Sequence, residues 1–165
     1  MVVRARLNPG DYERLRRKLG EKIPEAVRAE VEKAIIQGGE EMVSVARHLA
    51  PKKSGDLAAS TVVTKPGEST PAHSQPGGSN VVGPLSAKVT AGNTDVRYPH
   101  LVEYGTQGHP QGGQFQGTQH PGTTAQPFFW PAYRLTRKRI KARITRAIGK
   151  ALRGEAGVKS AKRKK

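Results

Sequence analysis

Two stretches of the chain repeat their apolar residues at helical spacing. In the first, Val27, Val31, Ala34, Ile35, Met42, Val45 and Leu49 mark one face, while Glu25, Arg28, Glu30, Glu32, Lys33, Glu40, Glu41 and Arg47 form a wet face of mixed sign. This predicts a long helix over 24–49, with Pro24 in its first turn and Pro51 as its stop. Gly38-Gly39 interrupts it, and each Gly costs about 1 kcal/mol against Ala in a helix interior. A close neighbouring backbone or a bend is the expected reason for both. In the second stretch, Leu135, Ile140, Ile144, Ile148 and Leu152 recur at nearly fourfold spacing on an otherwise basic background. They predict a C-terminal helix over 128–153, with Pro131 at its N-terminus. Upstream, Asp11 as an N-cap, Leu15 and Leu19 four apart, and Gly20 as a stop predict a short first helix.

Between the long helices the period changes to two. Leu57 to Thr64 is small or β-branched and reads as a strand. From Val81 on, Leu85, Ala87, Val89 and Ala91 alternate with Ser86, Lys88 and Thr90, predicting a strand with one buried and one wet face. Gly92-Asn93 is a tight turn, and Val96 to Tyr98 starts a return strand. Residues 66–80 hold three Pro, three Gly and no large apolar residue, which predicts a flexible excursion with no core to join. Residues 105–126 contain six Gly, six Gln and no Asp, Glu, Lys or Arg, and predict a second long flexible loop. The expected fold is α+β: a long N-terminal helix and a basic C-terminal helix on a small antiparallel sheet. One domain spans 1–153, and 154–165 is expected to be a disordered basic tail.

Composition adds limits. A chain of 165 residues suits one modest core. It has no Cys, which excludes disulfides, thiol catalysis and Cys-based zinc sites. Neither a signal-peptide h-region nor a membrane-spanning run is expected. The net charge of +16 is concentrated at one end: residues 128–165 carry 14 Lys/Arg against one acid, and residues 1–127 carry 15 against 12. Such a block attracts polyanions, nucleic acid first; a solvated helix face with a basic tail accounts for it equally well.

Candidate chemistry is sparse. After residue 57 the acids Glu68, Asp95, Glu103 and Glu155 are scattered, so no paired-carboxylate site is expected. His109-Pro110 and His120-Pro121 lie in the charge-free loop at no familiar ligand spacing. No catalytic residue, metal or cofactor is expected. Glu103 reads either as an intersubunit or catalytic carboxylate or, preferably, as one accepting backbone N–H bonds or pairing a basic helix residue. The cluster Phe128, Phe129, Trp130 and Tyr133 can stack on bases, but its flanking prolines favour a core or interface anchor.

The order of these pieces carries a resemblance. Ala50-Pro51-x-x-Ser54-Gly55-x-Leu57, then Tyr98-x-x-x-Val102-Glu103-Tyr104-Gly105-Thr106, then Gln126-Pro127-Phe128-Phe129-x-Pro131-Ala132 leading into a helix, resembles the tail-completion (neck, head–tail joining) family of siphovirus-like phages, prophages and gene-transfer agents. The match spans about residues 12–152, with the excursion and the charge-free loop longer than the usual pattern. The resemblance implies a non-enzymatic virion protein of α+β fold, made in the host cytoplasm. It implies a ring, commonly a hexamer, whose partners are copies of itself, the head-closure or connector proteins and the tail-terminator or tail-tube proteins, with no membrane. Genomic DNA passes such a ring, and Arg134, Arg137, Lys138, Lys141, Arg143 and Arg146 are candidate contacts to DNA or an acidic partner. A basic, sequence-independent nucleic-acid-binding protein is the alternative.

Overall fold

The computed structural model describes residues 25–162. The short helix expected near residues 11–20 and the last three residues of the tail lie outside them. Helix α1, Glu25–Leu49, carries an acid in its first turn and Arg47 and His48 in its last, matching the ends of its dipole. Pro51 follows its end. A helical turn, α2 (Asp56–Ala59), leads to strand β1 (Val62–Thr64), which pairs antiparallel with β2 (Lys88–Thr90) in the register Val62↔Thr90, Val63↔Val89, Thr64↔Lys88. Helix α3 (Pro99–Tyr104) and a two-stranded ribbon, β3 (His109–Pro110) with β4 (Gln119–His120), precede the last helix, α4 (Phe129–Lys162). The architecture is the expected α+β arrangement of two long helices and a small antiparallel sheet.

α1 is the centre of the fold because it meets both α4 and the sheet. Its adjacent glycines divide these contacts. A Cβ on Gly38 would come within 2.8 Å of Ile140 on α4, and one on Gly39 within 2.5 Å of Val63 on β1. Residues next to each other on a helix point about 100° apart. The pair therefore lets α1 approach two different elements at one level. The core joins Met42, Ala46 and Ala50 of α1 with Leu57, Ala91, Val96, Phe128, Phe129 and Ala132.

The structure corrects several details. Leu57–Ala59 is helical rather than extended: Gly55 at φ 89 turns the chain, and the Ser60 and Thr61 hydroxyls donate back to the Leu57 carbonyl. The expected wet face of β2 is not wet. Val63 and Val89 face Gly39, so Thr64 and Thr90 point the other way, yet both are buried. No return strand forms at 96–98. The Asn93 side chain accepts N–H bonds from Asp95 and Val96, and the chain turns into α3. Residues 66–80 lack regular structure, as expected, but they do join the core. Thr70 and Ser74 are buried, Ser69 bridges to Val81, and Gln75 exchanges both backbone hydrogen bonds with Ala91. Polar side chains and backbone tie this segment down, which an apolar pattern does not register. Helix α4 begins at Phe129, two residues before Pro131, and its backbone continues to Lys162, past the expected end at 153.

Candidate functional site

A buried helix start must find partners for its free N–H groups. α4 begins at Phe129, so these groups belong to Phe128, Phe129, Trp130 and Pro131. Proline has none. The other three donate to one carboxylate: Phe128 N–H to Glu103 Oε2 at 2.8 Å, Phe129 N–H to Oε2 at 2.9 Å, and Trp130 N–H to Oε1 at 3.1 Å. Ala132 N–H then makes the first intrahelical bond, to the Phe128 carbonyl. Glu103 is only 7% exposed. A negative group here meets the positive end of the helix dipole, so its charge is matched without a cation. This is the preferred sequence reading of Glu103, as an acceptor of backbone N–H bonds.

The rest of Tyr98–Thr106 holds that carboxylate in position. Pro99 opens α3, and Val102 accepts the Gln126 N–H through its carbonyl at 2.8 Å. Tyr104 accepts the Trp130 Nε1–H on its hydroxyl at 2.7 Å. Gly105, at φ 72, sits where a Cβ would be 2.6 Å from the Thr123 carbonyl oxygen. Thr106 and Thr123 exchange two backbone bonds and contact through their hydroxyls at 2.9 Å. The segment is thus a short helix with a turn. Pro127 is exposed, while Phe128, Phe129 and Ala132 are buried beside Leu57. Pro51 and Leu57 line a groove of about 550 Å³ together with Tyr98, Val102 and Thr106. All three segments that carry the family resemblance therefore meet in one place.

From the core outward, the aromatics form an edge-to-face series: Phe128–Phe129, Phe129–Trp130 and Trp130–Tyr133, with centroids 5.6 to 6.4 Å apart. Trp130 (38%), Tyr133 (42%) and Tyr104 (68%) remain exposed. The buried half anchors the helix, and the exposed half offers flat, amphipathic surface.

The six basic candidates separate. Arg143 is not available to a polyanion: it pairs with Glu41 of α1 at 2.7 Å, as does Arg139. Arg146 folds back on the Ala142 carbonyl and lines a groove with Glu30 and Lys150. Arg134, Arg137, Lys138 and Lys141 are exposed on the side of α4 nearer Trp130 and Tyr133. The inward face of α4 is Phe129, Ala132, Thr136, Ile140, Arg143 and Ala147, so the predicted apolar stripe is off centre. Leu135 is 64% exposed and Ile148 39%. Small residues face α1 because the helices lie close, and a search for large apolar residues passes over them. The Glu41 clamp was also not foreseen, since nothing in the sequence pairs residue 41 with 139 and 143.

His109 and His120 face each other across the ribbon with stacked rings, centroids 5.1 Å apart. His120 Nδ1 accepts the Gly122 N–H at 2.9 Å. Among the described residues no group of three or more His, Cys, Asp or Glu is placed to hold a metal ion. No described helix is long and apolar enough to cross a membrane. No family model, curated protein or solved structure matches the chain. The resemblance to the tail-completion family therefore rests on its motif residues and their order.

Proposed function

We propose that the chain is a structural subunit of a phage neck, forming a ring that joins the DNA-filled head to the tail tube and lets DNA pass. The observation that carries this reading is the Glu103 cap. It links Tyr98–Thr106 to Pro127–Ala132, the segments on which the resemblance rests, through three hydrogen bonds. The residues that resemble the family thus act as one structural unit, and that unit sets the position of the basic helix. The ribbon at 109–120 stands on it and supplies polar, charge-free surface for a neighbouring head-closure or tail protein. The subunit works in the virion after assembly in the host cytoplasm, and its role is scaffolding, without catalysis or cofactor. Deleting the gene in a producing strain tests this: the expected outcome is filled heads and separate tails. Normal joined particles in the deletion strain would overturn it.

A second reading, sequence-independent nucleic-acid binding, is favoured by one observation. Arg134, Arg137, Lys138 and Lys141 lie exposed beside Trp130 and Tyr133, the combination of cations and aromatic faces that holds single strands. Binding would be salt-dependent, with a slope set by the number of phosphates met. Replacing the four with Gln and measuring affinity against salt separates the readings. Strong binding by the monomer, lost in the variant, favours the second.

A further inference from the structure

We propose that the acidic flank of α1 docks on the aromatic and basic flank of α4 in a second copy of this chain, so that copies add head to tail. The proposal rests on the ring reading and gives that ring its contact. On α1, Ala34, Gly38 and Glu41 turn towards α4. The opposite flank carries Glu25, Ala29, Glu32, Ile36 and Glu40, spaced four, three, four and four apart, with Lys33 at its rim. It is a continuous stripe about 22 Å long at 1.5 Å per residue. On α4, Trp130, Tyr133, Arg137, Lys141, Ile144 and Ile148 recur three or four residues apart over about 27 Å. They flank the inward face, and Trp130, Tyr133 and Ile148 are each at least 38% exposed.

The two stripes overlap over about 22 Å and oppose in charge: three carboxylates with Ala29 and Ile36 against two cations with two aromatics and two isoleucines. Trp, Tyr and Arg are the residues that most often anchor protein contacts. Within one chain the α1 stripe lies on the side away from α4, and the α4 stripe flanks the face turned to α1. Copies add head to tail when each uses its α1 stripe on one neighbour and its α4 stripe on another; a two-fold pair would need both stripes of each chain to meet reciprocally. A heterologous contact builds a ring when its rotation closes and a filament when it does not.

The full-length protein tests this by sedimentation at low salt. Reversing one stripe (Glu32→Lys with Glu40→Lys) or the other (Arg137→Glu with Lys141→Glu) is expected to weaken self-association by roughly tenfold or more. None of the four side chains takes part in the Glu41 clamp, and circular dichroism checks that each variant is folded. Mixing the two reversed proteins, or combining the four changes, is expected to restore association. Association indifferent to either reversal, or not restored on combination, overturns the contact and leaves the ring reading standing. A wild-type chain that stays monomeric at every concentration overturns the contact, and the particles of the deletion strain decide the ring reading separately. Loss of DNA binding in the Arg137/Lys141 variant with association intact assigns the stripe to nucleic acid and also overturns the contact.

Discussion

The first turn of α4 and the rest of that helix are held by different physics. The first turn is buried: Phe128, Phe129 and Ala132 sit in the core, and Glu103 satisfies every free N–H. Farther along, the helix is kept against α1 by close packing at Gly38 and by two arginines on Glu41, one of them largely exposed. A buried cap with no alternative partner is expensive to break, whereas the Arg139 half of the Glu41 clamp, 63% exposed, competes with water and salt. The helix is therefore fixed by a polar cap at its origin and by close packing of one face along its length. That arrangement leaves its basic side free for a partner.

The sharpest way to break this contrast is Glu103→Ala. It strands three N–H groups at a buried helix end and is expected to destabilise the protein by about 3 kcal/mol or more, read as a lower denaturant midpoint. Glu103→Gln keeps the shape and one acceptor oxygen but loses the charge, so its midpoint is expected to lie between. A loss below that of a surface substitution in both would remove the cap from its central place.

The adjacent glycines give a finer test. Gly39→Ala drives a methyl into Val63 and is expected to cost about 1–3 kcal/mol through overpacking. Gly38→Ala meets the γ-methyl of Ile140 less closely, at 2.8 Å against 2.5 Å; helix propensity returns about 1 kcal/mol at either site, so its net loss is expected to be the smaller of the two. Equal losses at both sites would show that α4 is held as rigidly there as the sheet.

Smaller still is Arg139→Gln, which removes the exposed half of the Glu41 clamp and is expected to cost about 0.2–1 kcal/mol and to lose its effect at high salt. Salt is not expected to erase the Glu103 effect. Last comes Leu135→Ser, expected to stay within about 0.5 kcal/mol because the side chain faces water. A large loss there would mean that the predicted apolar stripe carries the helix after all.

The long helices were legible because 25 or more residues of 3.6-fold pattern outweigh local noise. The short elements were not. Six residues at Pro99–Tyr104 are too few to show a period, and the β-branched run after Asp56 conceals one helical turn. The segments of the candidate site could be picked out by their residues, but the bond that unites them could not. Glu103 and Phe128 lie 25 residues apart, and the stretch between has no charge to indicate which way it folds. The inward face of α4 escapes the apolar pattern for a related reason. Contacts made by Ala132, Thr136 and Gly38 are set by closeness, which hydrophobicity does not measure.

The Glu103 bond has one more consequence. It pins both ends of the segment from 104 to 127, so what lies between is a closed excursion whose length the fold does not monitor. Doubling such an excursion costs about 0.6 kcal/mol. The exposed turn at Gly113–Phe115 is thus a natural port for inserting a tag, fluorophore-binding peptide or epitope, by which the subunit can be tracked inside an assembled particle.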